Sequence, residues 1–582
     1  MSLNIRVCAI VIFIVNIVNG DVIVETTSGK VAGREVESIL PNEKYYSFLG
    51  IPYAKPPTDK LRFMPPVPHP AWDDILPTKV EKKQCSQFNL PLRNLKQYGY
   101  FGDENCLHLS IHTPKEPINN NLDLPVIVFL HNDHFKMSYN GTKSFGPDFL
   151  MKENVILVTI SHRLGSLGFL AFEDKLLPGN NGIRDVVLAL NWIKDNIKNF
   201  GGDPSKVTLM GHKAGAVIVD ILLHSPKGKD LFSGVILQSE TSFSSMYFDE
   251  HPKKRAIELS DHLEQKATTS ESLLQRLSDV PALKLTEAEL YAVHADEPRS
   301  IQRGIVPFGP VVESENPESI ISMLPESNKN DLPVPIMIGF NSREGIALSS
   351  RYLHNPNYLT YADKDFLMLF PIRVGYTFKL HDKLYEKAVQ EIKDFYFDEG
   401  YVKVTNPSEY ITYMGDVTHF YHIDYTVRTY ANISSKPIYY YMFDYSGELN
   451  FRKKSILEDS LSIEGTWGAS GDDDLCYVFV CHPYKKVYKK ILESDDSEEL
   501  KVLQNMVKYI TNFAKTGNPT PPGSPINWKP VTKENRQCLI ISEEPRMQNN
   551  IYEDKVSFWD NFIEKYRQLA VDGVVKDVHE EL

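Results

Sequence analysis

The sequence predicts an α/β protein: one large, mainly parallel, doubly wound sheet with helical insertions that form a cap. Three observations carry this expectation. Short apolar runs without polar alternation recur along the chain, as strands buried on both faces require. Stretches of helical periodicity separate them, and strand–helix–strand order folds into crossovers on a parallel sheet. No low-complexity linker divides the series, so residues 21–567 read as a single domain, with 1–20 as a leader and 568–582 as a C-terminal tail.

In chain order, residues 126–130 and 155–160 are the first two buried strands. Residues 185–200 follow as a helix, with Trp192, Ile193 and Ile197 on one face. Residues 207–210 form a third strand and 216–219 open an apolar helix. Residues 234–238, 334–339 and 438–443 read as later strands, with segments rich in helix formers between them. The third strand joins its helix through Gly211-His212-Lys213-Ala214-Gly215. Glycines flanking a strand-to-helix junction permit a sharp turn that projects the central side chain, here Lys213.

The chain has 582 residues, 42% of them hydrophobic, ample for a large core. Arg6, an apolar run over 7–15 and Val18-Asn19-Gly20 read as a secretory signal. The apolar run is shorter than the roughly 20 residues that span a bilayer, so no membrane anchor is expected. The expected location is therefore secreted and extracellular. The C-terminal His579-Glu580-Glu581-Leu582 is similar to a retrieval tetrapeptide, which gives the endoplasmic reticulum lumen as the alternative. Asn140 and Asn432 head glycosylation sequons. Of six cysteines, Cys8 leaves with the leader; the odd number remaining means at least one is free or pairs between chains. The net charge of −13 argues against nucleic acid or an anionic membrane as partner. The acidic clusters at 472–474 and 493–499 read as solvated surface, without the spaced oxygen ligands of a calcium loop. No zinc spacing and no phosphate-cradling loop is present, so neither metal nor cofactor is expected. Nothing in the sequence sets an oligomeric state.

Several segments together point to a family. Residues 48–57 read Phe-Leu-Gly-Ile-Pro-Tyr-Ala-Lys-Pro-Pro, and 104–109 read Glu-Asn-Cys-Leu-His-Leu. Arg163-Leu164-Gly165, Gly179-Asn180-Asn181-Gly182 and Phe200-Gly201-Gly202-Asp203-Pro204 follow before the glycine turn. Phe308-Gly309-Pro310 and a segment at 512–519 come later. In this order they resemble the type-B carboxylesterase and cholinesterase family, in particular the insect esterases, over nearly the whole mature chain. The resemblance implies the α/β-hydrolase fold, with the glycine turn as its nucleophile elbow. It also implies a disulfide between Cys85 and Cys106, closing a loop of about 20 residues worth on the order of 3 kcal/mol. It assigns no partners to Cys476, Cys481 and Cys538.

Ester cleavage in that family needs a serine nucleophile, a histidine base, an acid that orients the base, and N–H donors for the oxyanion. Carried over residue by residue, the serine position is Lys213 and the histidine position, in Gly468-Ala469-Ser470-Gly471-Asp472-Asp473-Asp474, is Gly471. Glu344 keeps the acid. The oxyanion loop, normally His-Gly-Gly, reads His131-Asn132-Asp133, and the N–H of Ala214 is the donor that clearly remains. A lysine nucleophile must be unprotonated, and neighbouring carboxylates oppose that. Lys213 is therefore expected to pair with Glu344 or with Asp133; extension into a solvated gorge is the other reading. His212 is expected to be a satisfied packing histidine, and Ser239 a hydrogen-bonding neighbour of the site. The resemblance thus implies a pseudoenzyme that binds a small apolar ester-like ligand or a protein partner. The alternative is carboxylic ester hydrolysis of a weak or non-standard kind.

Overall fold

Strands buried on both faces must alternate apolar side chains between two cores, and this sheet does so. The computed structural model describes residues 21–89, 99–117, 122–139, 141–494 and 496–576. Along β1 (Asp21–Thr26), β2 (Gly29–Glu37), β3 (Lys44–Pro52) and β4 (His108–Thr113) the pairing is antiparallel. The central strands are β5 (Leu124–Asn132), β6 (Ile156–Ile160), β7 (Gly202–Lys213), β8 (Gly234–Gln238), β9 (Ile336–Asn341), β10 (Ile438–Phe443) and β11 (Gln537–Ile541). They are parallel to one another, and β12 (Arg546–Asn549) closes the far edge antiparallel. The spatial order is β1-β2-β3-β4-β6-β5-β7-β8-β9-β10-β11-β12. The inversion of β5 and β6 is where the winding changes direction.

On β5, Val128 and Leu130 enter one core and Ile127 and Phe129 the other; on β7, Leu209 and Met210 divide in the same way. The first core is covered by α1 (Asn181–Asn196) and α2 (Ala214–His224), which contribute Ile183, Val186, Val217 and Ile218. The second is covered by α4 (Glu498–Thr516) through Val502, Met506 and Phe513. A third, aromatic-rich cluster joins Phe366, Tyr396, Tyr413 and Tyr421 to Trp559 and Tyr566 away from the sheet. Tyr421 belongs to α3 (Tyr421–Ile433), which carries Asn432 on its exposed side.

Two expectations change. The segment assigned to a tail contributes two short strands, Ala570–Val571 and Val574–Val575, which pair with each other and with Thr377–Phe378. Cys476 and Cys481, left unassigned by the sequence, form a second disulfide beside that of Cys85 and Cys106. Cys538, in the buried strand β11, is the free cysteine among the described residues. A pair only five residues apart bridges one turn, so it has no long-range spacing for a sequence to reveal. The leader, Asn140 and His579 to Leu582 lie outside the described residues. Among those described, no helix is long and apolar enough to cross a membrane.

Candidate functional site

The site forms where β5 and β7 end side by side. Their register places His212 opposite His131 and Lys213 opposite Asn132, so the elbow and the altered oxyanion loop are neighbours by pairing. Lys213 ends β7 with φ 51° and ψ −126°, and Ala214 opens α2. Positive φ is costly for a residue with a β-carbon and persists only where surrounding packing dictates it. Here Gly211 and Gly215 dictate it. A β-carbon at Gly211 would meet Gly215 O at 2.4 Å, and one at Gly215 would meet Leu130 O at 2.1 Å. The strained presenting turn is intact.

What it presents is a bound ammonium. Lys213 Nζ lies 2.8 Å from Asp472 Oδ1 and 3.0 Å from Oδ2, with Asp133 Oδ2 at 3.6 Å. Burial would lower the Lys213 pKa, but Asp133 and Asp472 outweigh it and hold the group above the ordinary lysine range. Burial likewise opposes ionisation of Asp472, and Lys213, His212 and Arg452 overcome it, so its pKa falls. Of the two partners expected, Asp133 takes part at a distance and Glu344 does not; the principal partner is Asp472.

Asp472 was read as solvated surface together with Asp473 and Asp474, and that reading is overturned: all three are buried. Their loop turns inward, with Asp472 at φ 72°. Asp473 pins it by accepting the N–H groups of Ser470, Arg452 and Lys453 at 2.8, 2.9 and 3.1 Å. Burial is the chief reason its pKa rises to about 7. Asp474 accepts from Gln238 Nε2 at 2.9 Å and Asn341 Nδ2 at 3.2 Å. Of the described residues of the cluster at 493–499, Glu493, Ser494, Asp496 and Glu498 are exposed, whereas Glu499 is buried and accepts from Tyr477.

His212 is also not the satisfied packing histidine expected. It is fully buried, and its ring lies parallel to that of His131 at 5.8 Å, but neither ring nitrogen has a hydrogen-bond partner.

The oxyanion loop has closed on itself. The Asp133 N–H donates to Met137 O at 2.7 Å, and the Met137 N–H returns to Asp133 O at 3.1 Å. A donor that would face a substrate oxygen is thereby consumed within the loop. Asn132 is wholly buried, with Nδ2 3.5 Å from His162 Nε2. The Asp133 carboxylate contacts His134 Nδ1 at 2.5 Å; burial would raise its pKa, but Lys213 and His134 hold it well below the usual range. Ala214 stands at the start of α2, where first-turn N–H groups have no intrahelical acceptor.

Glu344 sits at the other end of the site. Its Oε1 accepts from Ser239 Oγ at 2.6 Å, from the Asn341 N–H at 2.9 Å and from Asn341 Nδ2 at 3.2 Å. Its Oε2 has no hydrogen-bond partner. A β-carbon on Gly471 would lie 2.7 Å from that Oε2, so the loop packs directly against the carboxylate.

Three residues that the sequence did not single out complete this end. Glu240 Oε1 lies 3.2 Å from His419 Nδ1 and Oε2 3.1 Å from His422 Nε2, all three side chains being buried. His419 belongs to a π-turn, Asp416–Phe420, which precedes α3 and brings its Nδ1 within 2.8 Å of Ser239 O. Burial pushes the His419 pKa down, yet Glu344 and Glu240 together raise it to about 9. Burial similarly opposes Glu240, and His422 and His419 bring it down to about 2. The available signal was the His-x-x-His spacing of 419 and 422, which puts both rings on one helical face.

A profile described as the carboxylesterase family matches residues 20–559. The juvenile hormone esterase of Tribolium castaneum is 30% identical over 536 residues, covering 90% of this chain and 88% of that protein. Esterase FE4 of Myzus persicae is 31% identical over 516 residues, 88% of this chain and 87% of its own. The crystal structure of juvenile hormone esterase from Manduca sexta, with OTFP covalently attached, superposes with a TM-score of 0.77 at 27% identity. That match covers 94% of this chain and all of the other. With its sheet, elbow and Ser239–Glu344 pair in place, this chain belongs to the carboxylesterase family and has the α/β-hydrolase fold.

Proposed function

We propose that this protein is a secretory-pathway pseudoenzyme that binds without cleaving. Its partner is a small apolar ester-like ligand, of the class that a juvenile hormone esterase acts on, or another protein. The observation that carries the reading is the ion pair of Lys213 with Asp472 at the nucleophile position. A lysine attacks a carbonyl only as the free amine, and this one is held protonated by two carboxylates. The base position, Gly471, has no side chain, and the Asp133 N–H is bonded within its own loop. In serine hydrolases loss of nucleophile or base alone lowers turnover by roughly 10⁶, and the remainder depends on the oxyanion hole. Here the hole is altered as well.

The test is steady-state turnover of short-chain aryl esters, beside organic extraction of the purified protein. The reading expects turnover indistinguishable from buffer with a bound ligand or none. Turnover matching an active esterase overturns it. The quadruple variant Lys213→Ser, Gly471→His, Asn132→Gly and Asp133→Gly asks how far the retained frame supports chemistry. A weak gain is expected, because the new β-carbon at 471 meets Glu344 Oε2 at 2.7 Å.

A further inference from the structure

The floor beneath the elbow holds polar atoms that its ion pairs leave unserved. Both ring nitrogens of the fully buried His212 lack hydrogen-bond partners, an arrangement costing about 1–3 kcal/mol per group. Its Nδ1 stands 3.7 Å from Asp472 Oδ1 and its Nε2 3.8 Å from Asp474 Oδ1. Those separations exceed a hydrogen bond. The first, between His212 and Asp472, is close to the roughly 3.3 Å that separates two ligand atoms sharing a tetrahedral zinc at bonds of about 2.0–2.1 Å. His131 completes the set: ligand-type atoms of His131, His212 and Asp472 all lie within 4.8 Å of one another.

We propose that His131, His212 and Asp472 form a binding site for a divalent transition-metal ion of the zinc class. Two imidazoles and one carboxylate are a donor set for zinc, cobalt or iron rather than for calcium or magnesium. Lys213 is in direct contact with Asp472, and Arg452 Nε stands 3.9 Å from its Oδ2.

Two contacts must yield. Lys213 shares Asp472, but it has a second carboxylate in Asp133 at 3.6 Å and can shift toward it. The Tyr139 N–H reaches His131 Nδ1 at 3.2 Å, the long limit of a hydrogen bond, and is released when His131 coordinates. The second buried group, Glu240, His419 and His422, is not equivalent. Its nitrogens facing Glu240 also donate to the carbonyls of Ser239 and Thr418 at 2.8 and 2.9 Å, which occupies them.

The experiment is a titration of the full secreted chain, stripped with chelator, with cobalt(II) at neutral pH, followed by visible absorption and back-titration with zinc. One equivalent of cobalt with intense d–d bands, displaced by zinc, is expected. His212→Gln should weaken binding by about 100-fold or more, and His419→Gln should leave it unchanged. Lys213→Met, which frees Asp472 of its ammonium, should tighten binding by about tenfold, a gain that misfolding cannot imitate. The proposal is overturned if the natural chain gives no bands, if His419→Gln abolishes them, or if Lys213→Met binds no tighter. Should His212→Gln fail to fold, the Lys213→Met result decides.

Discussion

Lys213 and Glu344 stand at opposite ends of one site, with Gly471 rather than a side chain between them, and each is a buried charge to be neutralised. They have not been matched to each other. Lys213 is served by Asp472 and Asp133, both supplied by the loops whose family sequence has changed. Glu344 is served by Ser239 and Asn341 and by the field of His419, on elements that the sheet and α3 hold in place. The difference teaches that each charge is neutralised locally. A buried charge is stabilised by whatever lies within a few ångströms, and breaking such a pair costs far more than the pair contributes over an apolar replacement.

This contrast can be broken from either end. The largest effect is expected at the frame that only the Lys213 end hangs on. Gly215→Ala puts a methyl 2.1 Å from Leu130 O and should cost more than about 4 kcal/mol in urea unfolding, or abolish soluble expression. Next, Asp472→Asn leaves a buried ammonium with only the 3.6 Å contact and should cost about 3–5 kcal/mol. Lys213→Met added to it should restore much of that stability; additive losses in the double-mutant cycle would mean the pair is not coupled.

The Glu344 end responds to pH instead. The folded-state pKa of His419 is raised from its ordinary 6.5 to about 9. A raised pKa contributes stability that is fully present below about pH 6.5 and is lost as pH climbs through about 9. The loss is on the order of 3 kcal/mol. Unfolding followed by fluorescence from pH 6 to 10 should show that slope in the natural chain and a flatter one in His419→Gln. The smallest effect belongs to the short bridge: replacing Cys476 and Cys481 by alanine should cost about 2 kcal/mol by loop-closure entropy, without altering either end of the site.

Much of the fold was legible because buried parallel strands are written as contiguous apolar runs. Residues 234–238 and 438–443 match their strands end to end, and the elbow was readable from Gly211 and Gly215 between an apolar strand and an apolar helix. Glu344 could be placed by motif. The partner of Lys213 could not. Three consecutive aspartates carry the composition of solvated surface, and only the backbone N–H groups that Asp473 collects turn them inward. Nor could the fate of the oxyanion loop be read. Asn132 and Asp133 announce a change of residue, but the Asp133–Met137 closure depends on backbone geometry. Glu240, His419 and His422 were missed because their meeting joins residues about 180 positions apart across a π-turn.

The central claim is that no nucleophile remains at the elbow. Its most direct test is the intact mass of the purified protein after incubation with a p-nitrophenyl ester and, separately, with a phosphonylating esterase inhibitor. We predict an unchanged mass and no burst of nitrophenol. A stoichiometric acyl or phosphonyl adduct, mapped by peptide sequencing to Lys213 or to another residue of the site, would contradict it.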